Sequence, residues 1–117
     1  MVEEKWFELI KEEYSKIDQE WQWTYELQIT FNKCSITKLT ITDHYQLEHK
    51  DEITNKLIWN IFYIEIDNEI LKPTKYHGKR KVFKWEGVYQ DERYRMIFWF
   101  KRGRRDWLWV RDRYPID

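Results

Sequence analysis

Two features of this 117-residue chain could do chemistry: a pair of histidines and a cluster of cations among aromatic rings. The histidines lie in "TDHYQLEH" as His44 and His49. A five-residue separation on a helix sets the two rings apart, unlike the i, i+4 pair of a helix-borne zinc site. Asp43 and Glu48 are near in sequence, but no third strong ligand stands at a recognised spacing, so no metal is expected. His44 is instead a candidate for proton transfer, since imidazole titrates near neutral pH.

The cations crowd the C-terminal part: Arg80, Lys84, Arg93, Arg95, Arg102, Arg104, Arg105, Arg111 and Arg113. Within "RMIFWFKRGRRDWLWVRDRY" they alternate with aromatic residues and end on Tyr114. Cations beside flat rings can hold phosphates and stack bases. The competing role for the rings is to fill a core, with Arg stems covering its edges, and most of the Trp are expected there. The chain has no Ser/His/Asp signature, no phosphate-binding Gly loop and no dinucleotide Gly pattern. No cofactor is implied. Cys34, the single cysteine, excludes an internal disulfide and has no nearby base in sequence to activate it.

These residues must be carried by a small scaffold. The length suits one domain, residues 1–117, and the 19% aromatic content, with eight Trp, lets few side chains fill a core. Charged residues make up 36%, and no apolar run approaches the ~20 residues of a membrane span. The charged N-terminus lacks a signal-peptide pattern, so a cytoplasmic protein is expected. The zero net charge conceals an asymmetry. Residues 1–71 carry 7 Lys and 15 Asp or Glu, a balance of −8; residues 72–117 carry 14 Lys or Arg and 6 acids, a balance of +8. Either the basic half meets an anionic partner or the two halves offset each other, within one chain or across a homodimer.

Periodicity gives the elements. Trp6, Leu9, Ile10, Tyr14 and Ile17 fall at helical spacing and predict an amphipathic helix over 3–18. From Trp21 to Phe31 apolar and polar residues alternate strictly, a strand with one buried face. Asn32-Lys33 turns the chain into a second strand, Ser35 to Thr42, where a slip between Ile36 and Leu39 suggests a bulge. Asp43 to Ile64 reads as helical, broken near Asp51, with Thr54 capping a second helix that buries Leu57, Ile58, Ile61 and Ile64. Residues 67–80 read as a loop. Strands follow at about Arg80–Trp85, Arg93–Phe100 and Trp107–Tyr114, the last two joined around Gly103. The expected fold is α+β: an N-terminal helix and central helices packed on an antiparallel sheet of about five strands.

"LTITDHYQLEH" with "EITNKLIWNI" resembles the opening of small toxins related to the RelE/ParE and BrnT families, where a strand leads to a His-bearing helix and then a second helix. "RYRMIFWF…WLWVRDRY" is similar to their closing antiparallel strands, whose basic and aromatic residues face RNA. The resemblance covers residues 39–114 and leaves the helix and strand of 1–33 outside it. It implies a metal-independent ribonuclease. His44 would act as acid or base, Arg95 would contact phosphate, and Arg111, Arg113 and Tyr114 would line the site. His44 or Tyr114 would move the 2′-hydroxyl proton, while Arg95 and Arg111 neutralise the scissile phosphate. The partner would be RNA, or an antitoxin-like protein. The alternative expectation is a non-catalytic inhibitor or immunity-type module. Its acidic helix, Glu3 to Glu20, would imitate nucleic acid towards a basic target enzyme.

Overall fold

The computed structural model describes residues 7–43, 54–77 and 80–116, with the backbone alone for residues 77 and 112–116. Seven strands form one sheet: β1 (Leu9–Ser15), β2 (Glu20–Phe31), β3 (Cys34–Thr42), β4 (Lys75–His77), β5 (Arg80–Tyr89), β6 (Glu92–Phe100) and β7 (Trp107–Ile116). Their order across the sheet is β1-β2-β3-β7-β6-β5-β4. Two antiparallel meanders, β1–β3 and β5–β7, therefore meet along β3 and β7, which run parallel from Lys38–Ile41 against Trp107–Val110. The acidic half of the sequence builds the first meander and the basic half the second.

This architecture overturns the expected α+β arrangement of helices on a five-stranded antiparallel sheet. The helix expected over 3–18 is strand β1 from Leu9 onward; residues 3–6 lie outside the described residues. The helical spacing is real, but non-local pairing overrides weak local propensity. β1 gains a ladder to β2, with Trp23 Nε1–H donating to Glu12 Oε2 at 2.9 Å and the Tyr14 ring meeting Trp21 edge-on at 5.5 Å. The hairpin turn is fixed by Asp18, whose backbone N–H donates to Ser15 Oγ at 3.1 Å, and by Gln19 at φ 54°.

Two-residue turns close two of the other hairpins. Asn32 and Lys33 (φ 49° and 64°) join β2 to β3, and Gln90 and Asp91 (φ 51° and 68°) join β5 to β6. Both central residues at positive φ give the twist that matches flanking strands. The second turn lengthens β5 to Tyr89, beyond the expected Trp85. Between 67 and 80, read as loop, β4 adds an edge strand on β5. The suspected bulge is a register shift between Glu26 and Ile29, opposite Lys38 and Ile36.

One helix is described. α1 (Asn55–Ile61) begins at Thr54, whose side chain accepts from Leu57 N at 3.1 Å, and continues as a π-helical turn, Phe62–Ile66. Of the first part of the helical stretch expected from Asp43, residues 44–53 lie outside the described residues, and Asp43 itself is not helical but exchanges hydrogen bonds with the Trp21 backbone. Ile58, Trp59, Ile61, Phe62 and Ile66 are buried, whereas Ile64, expected on the buried face, is exposed. The wider π turn carries Phe62 and Ile66 inward instead. α1 is tied to the sheet by Trp59 Nε1–H donating to the Glu26 carbonyl (2.8 Å) and Asn55 Nδ2 donating to Tyr25 Oη (3.1 Å). Below it the strands supply Leu27, Ile29, Phe31, Leu39, Ile41, Phe83, Met96, Phe98, Leu108 and Val110.

The sheet is strongly twisted. Laid flat, β2 and β5 would stand roughly 19 Å apart at sheet spacing, yet the rings of Phe31 and Phe83 meet at 5.1 Å on the helix face. A twisted sheet is a saddle, concave along one diagonal towards one face and along the other diagonal towards the opposite face. The second concavity holds the site described next.

Candidate nucleic-acid interface

On the face away from α1, alternation brings up the other half of each strand: Lys38, Thr40 and Thr42 from β3; Trp107, Trp109 and Arg111 from β7; Ile97 and Trp99 from β6; Arg80 and Val82 from β5. Val82 is buried but is not part of the core under the helix. Trp99 and Trp109 are paired directly across β6 and β7. Together they floor a trough of about 700 Å³. Its walls come from strands far apart in the order: Ile17, Asp18 and Glu20 at the β1–β2 hairpin, and Lys75 and Arg80 on β4 and β5. Five cations and two carboxylates line it, with the carboxylates at one end.

The cations lie against the rings. The Arg80 guanidinium sits 4.5 Å from the Trp99 ring centroid, and Lys38 Nζ, Lys101 Nζ and the Arg104 guanidinium stand 4.7, 5.1 and 5.5 Å from that of Trp107. Lys101 also lies 5.6 Å from Trp109. Each such contact supplies about 0.5–1 kcal/mol at exposed sites. Trp107 is held from beneath: its Nε1–H donates to Thr40 Oγ1 at 2.8 Å, and Thr40 shares a hydrogen bond with Thr24 Oγ1 at 2.7 Å. Further along, Thr42 Oγ1 donates to the Val110 carbonyl (3.4 Å) and Gln22 Nε2 to Glu20 Oε2 (3.1 Å). This row of buried polar groups is what alternation alone does not reveal.

At the β6–β7 tip a second hollow, of about 590 Å³, is lined by Arg80, Lys81, Lys101, Arg102 and Arg104 with Phe100 and Gly103. Gly103, at φ 76°, makes the turn. Arg104 donates from Nε (3.0 Å) and Nη2 (2.8 Å) to the Asp106 carboxylate, holding that carboxyl below its ordinary range. Among the described residues, Arg80, Lys81, Lys101 and Arg102 form no ion pair. Among the described residues, four cations thus share one end of the sheet without a carboxylate ion-paired to them.

The residues singled out by sequence divide accordingly. Arg80, Arg102, Arg104 and Arg111 line the trough or the tip hollow, and Arg105 is exposed beside them. Lys84 and Arg93 are exposed further along β5 and β6. Arg95 is ion-paired with Glu86, its cross-strand neighbour. Tyr114 and Arg113 lie on β7 opposite Arg95 and Met96 in register, but their side chains, like all of His44 and His49, are outside the described residues. The expectation that most Trp fill the core is corrected: Trp59 and Trp85 are buried there, while Trp99, Trp107 and Trp109 are half-buried on the opposite face and Trp21 is exposed. Sequence reasoning passed over Glu20, Gln22 and Thr40, buried polar residues whose only signal was their place on the polar side of two amphipathic strands.

Among the described residues no group of three or more His, Cys, Asp or Glu is placed to hold a metal ion, and no helix is long and apolar enough to cross a membrane. The chain matches no family model, and no curated protein or solved structure shows significant similarity to it.

Proposed function

We propose that this protein binds single-stranded RNA on the trough face. The supporting observation is the joining of the half-buried indoles Trp99 and Trp109 on the trough floor, with Trp107 beside them, to the cations Arg80, Lys101 and Arg102, which line both the trough and the tip hollow where Lys81 adds a fourth. Phosphates draw the cations, and bases stack on the ring faces that the cations now cover; stacking contributes about 1–3 kcal/mol per base. The acid–base chemistry expected of His44, Arg95 and Tyr114 is not part of this reading, because Arg95 already faces the Glu86 carboxylate.

The test is salt-dependent binding to an unstructured RNA of about 12 nucleotides. Four phosphate contacts on a single strand give a slope of log K against log salt of about −3, and Arg102→Ala should make it shallower by about 0.7. Absence of binding at low salt would reject the proposal.

A second reading rests on the opposite edge of the sheet. Leu9, Ile10, Tyr14, Ile17 and Trp21 are all exposed on the β1–β2 hairpin, with Ile17 at 95%. Such a strip on an edge strand suits a protein partner. Recovery of one stoichiometric protein and no RNA with the purified chain would favour it, although through a strand rather than the acidic helix first expected.

A further inference from the structure

The trough and the tip hollow form one continuous depression, since Arg80, Lys101 and Arg102 line both. Charge is spread unevenly along it. At the far end the carboxylates of Asp18 and Glu20 accompany the cation Arg111, so positive charge does not build up there. At the tip Lys81 joins the three shared cations, and none of the four is ion-paired among the described residues. The Asp106 carboxylate on the same turn is held by Arg104 through two hydrogen bonds. The turn is also a fixed support. Lys101 N–H donates to the Trp107 carbonyl at 2.8 Å, Arg104 N–H to the Lys101 carbonyl at 2.9 Å, and Thr37 N–H to the Asp106 carbonyl at 2.7 Å. The segment that carries Lys101 and Arg102 is thereby tied to both β7 and β3. Phe100, the ring of the hollow, packs against Phe31 and Phe83 on the core side, with centroids 5.9 Å apart in each case. Among the described residues the lining of the hollow includes no indole, so it gathers charge where bases have little to stack on.

Resting on the reading of this face as an RNA-binding surface, we infer that the tip hollow holds a terminal phosphate of the RNA strand whose bases lie along Trp99 and Trp109. An internal phosphodiester carries a single negative charge, and successive ones are spaced along the strand. A terminal phosphate monoester carries about −1.5 to −2 at neutral pH and presents three acceptor oxygens on one phosphorus atom. Such a group can meet several cations at once through charge-assisted hydrogen bonds, and the forks of Arg80 and Arg102 can bind it bidentately. A hollow of about 590 Å³ with four cations around it suits that concentrated charge. Phosphodiesters alone would be matched by cations set at intervals along the trough.

The experiment uses the full chain and strands of uridine, with binding followed by tryptophan fluorescence. A six-nucleotide strand is tested with a phosphate on its 5′ end, with a phosphate on its 3′ end, and with hydroxyls at both. An eight-nucleotide strand with hydroxyl ends has two more phosphodiesters and so matches the total charge of the phosphorylated strands. At least one phosphorylated strand should bind about tenfold more tightly than this charge-matched control, the gain from one added charge-assisted hydrogen bond. The end that does so gives the direction of the strand in the trough. Lys81 lines the hollow and not the trough, whereas Lys75 lines the trough and not the hollow. Lys81→Ala should therefore lower that ratio, and Lys75→Ala should weaken every strand while the ratio stays at about ten. Phosphorylated strands no tighter than the charge-matched control, or a ratio untouched by Lys81→Ala, overturn the inference and leave the RNA-binding reading standing. Failure of every strand to bind at low salt overturns both. The native comparison needs no variant to fold.

Discussion

Replacing Thr40 by valine tests whether the hydroxyl row beneath Trp107 holds the two faces of the sheet together. Thr40 is fully buried, and valine keeps its shape while deleting the oxygen that meets Thr24 Oγ1 at 2.7 Å and Trp107 Nε1 at 2.8 Å. Two hydrogen bonds are lost, each worth about 1 kcal/mol net. The Trp107 N–H is half-buried and regains some water, but the Thr24 hydroxyl is left in a dry site. The expected cost of Thr40→Val is about 2–3 kcal/mol. For a chain of this length each kcal/mol corresponds to about 4 °C in Tm, so a fall of about 8–12 °C follows. Urea unfolding monitored by circular dichroism would show a lower midpoint at unchanged slope. The double variant Thr24→Val/Thr40→Val removes the stranded hydroxyl as well. It should therefore be no less stable than Thr40→Val alone, with a coupling of about 1 kcal/mol. A single variant within about 0.5 kcal/mol of the native protein, or two single costs that simply add, would refute the argument.

Two other perturbations probe the scaffold. A Cβ at Gly87 would stand 2.4 Å from Cζ2 and 2.8 Å from Cη2 of the Trp85 indole, so Gly87→Ala should cost about 1–3 kcal/mol and change the near-ultraviolet dichroism; native stability would remove the steric claim. Burial raises the Tyr25 phenol above its ordinary value of 10.0, against the lowering effect of the Asn55 hydrogen bond and with a smaller push from Glu12. The neutral form is favoured by folding, so its contribution is complete below pH 10 and is lost as pH rises through the raised pKa. Urea midpoints measured from pH 9 to 12 should fall, and Tyr25→Phe should flatten that fall; an equally steep decline in the variant would contradict it.

The parts of the fold that sequence revealed are those carried by strict period-two patterns. From Trp21 to Phe31 and from Tyr94 to Val110 the alternation assigned both strand and face, including the shared face of Trp107, Trp109 and Arg111. Thr54 as a cap was legible because a hydroxyl before an apolar run has one common use. β1 was not, because Leu9, Ile10 and Tyr14 satisfy helical spacing and strand pairing alike, and only the partner β2 decides between them. β4 is three residues long and has no periodicity to read. The roles of the rings were misjudged because composition counts aromatics without saying which face they take: among the described residues Trp59 and Trp85 entered the core, Trp23 packs against it, and the Phe residues filled much of the rest. The basic tip was visible as a run of Arg and Lys. The carboxylate end of the trough was not, since Glu20 becomes its wall only when the sheet twists.

The parallel seam between β3 and β7 also governs how the molecule assembles. Each meander is closed by short turns and can zip locally, but the seam joins residues such as Thr37 and Asp106, 69 positions apart, through N–H···O=C at 2.7 Å. Closing so long a loop is entropically slow to reward, so the seam forms late relative to the hairpins. The trough spans that seam, with Glu20 on one meander and Trp99, Trp109 and Arg80 on the other. Neither half can display the complete surface alone. Ligand binding thus reports the final docking step of folding, and a ligand that bridges the seam adds its own binding energy to the long-range joint of the two meanders.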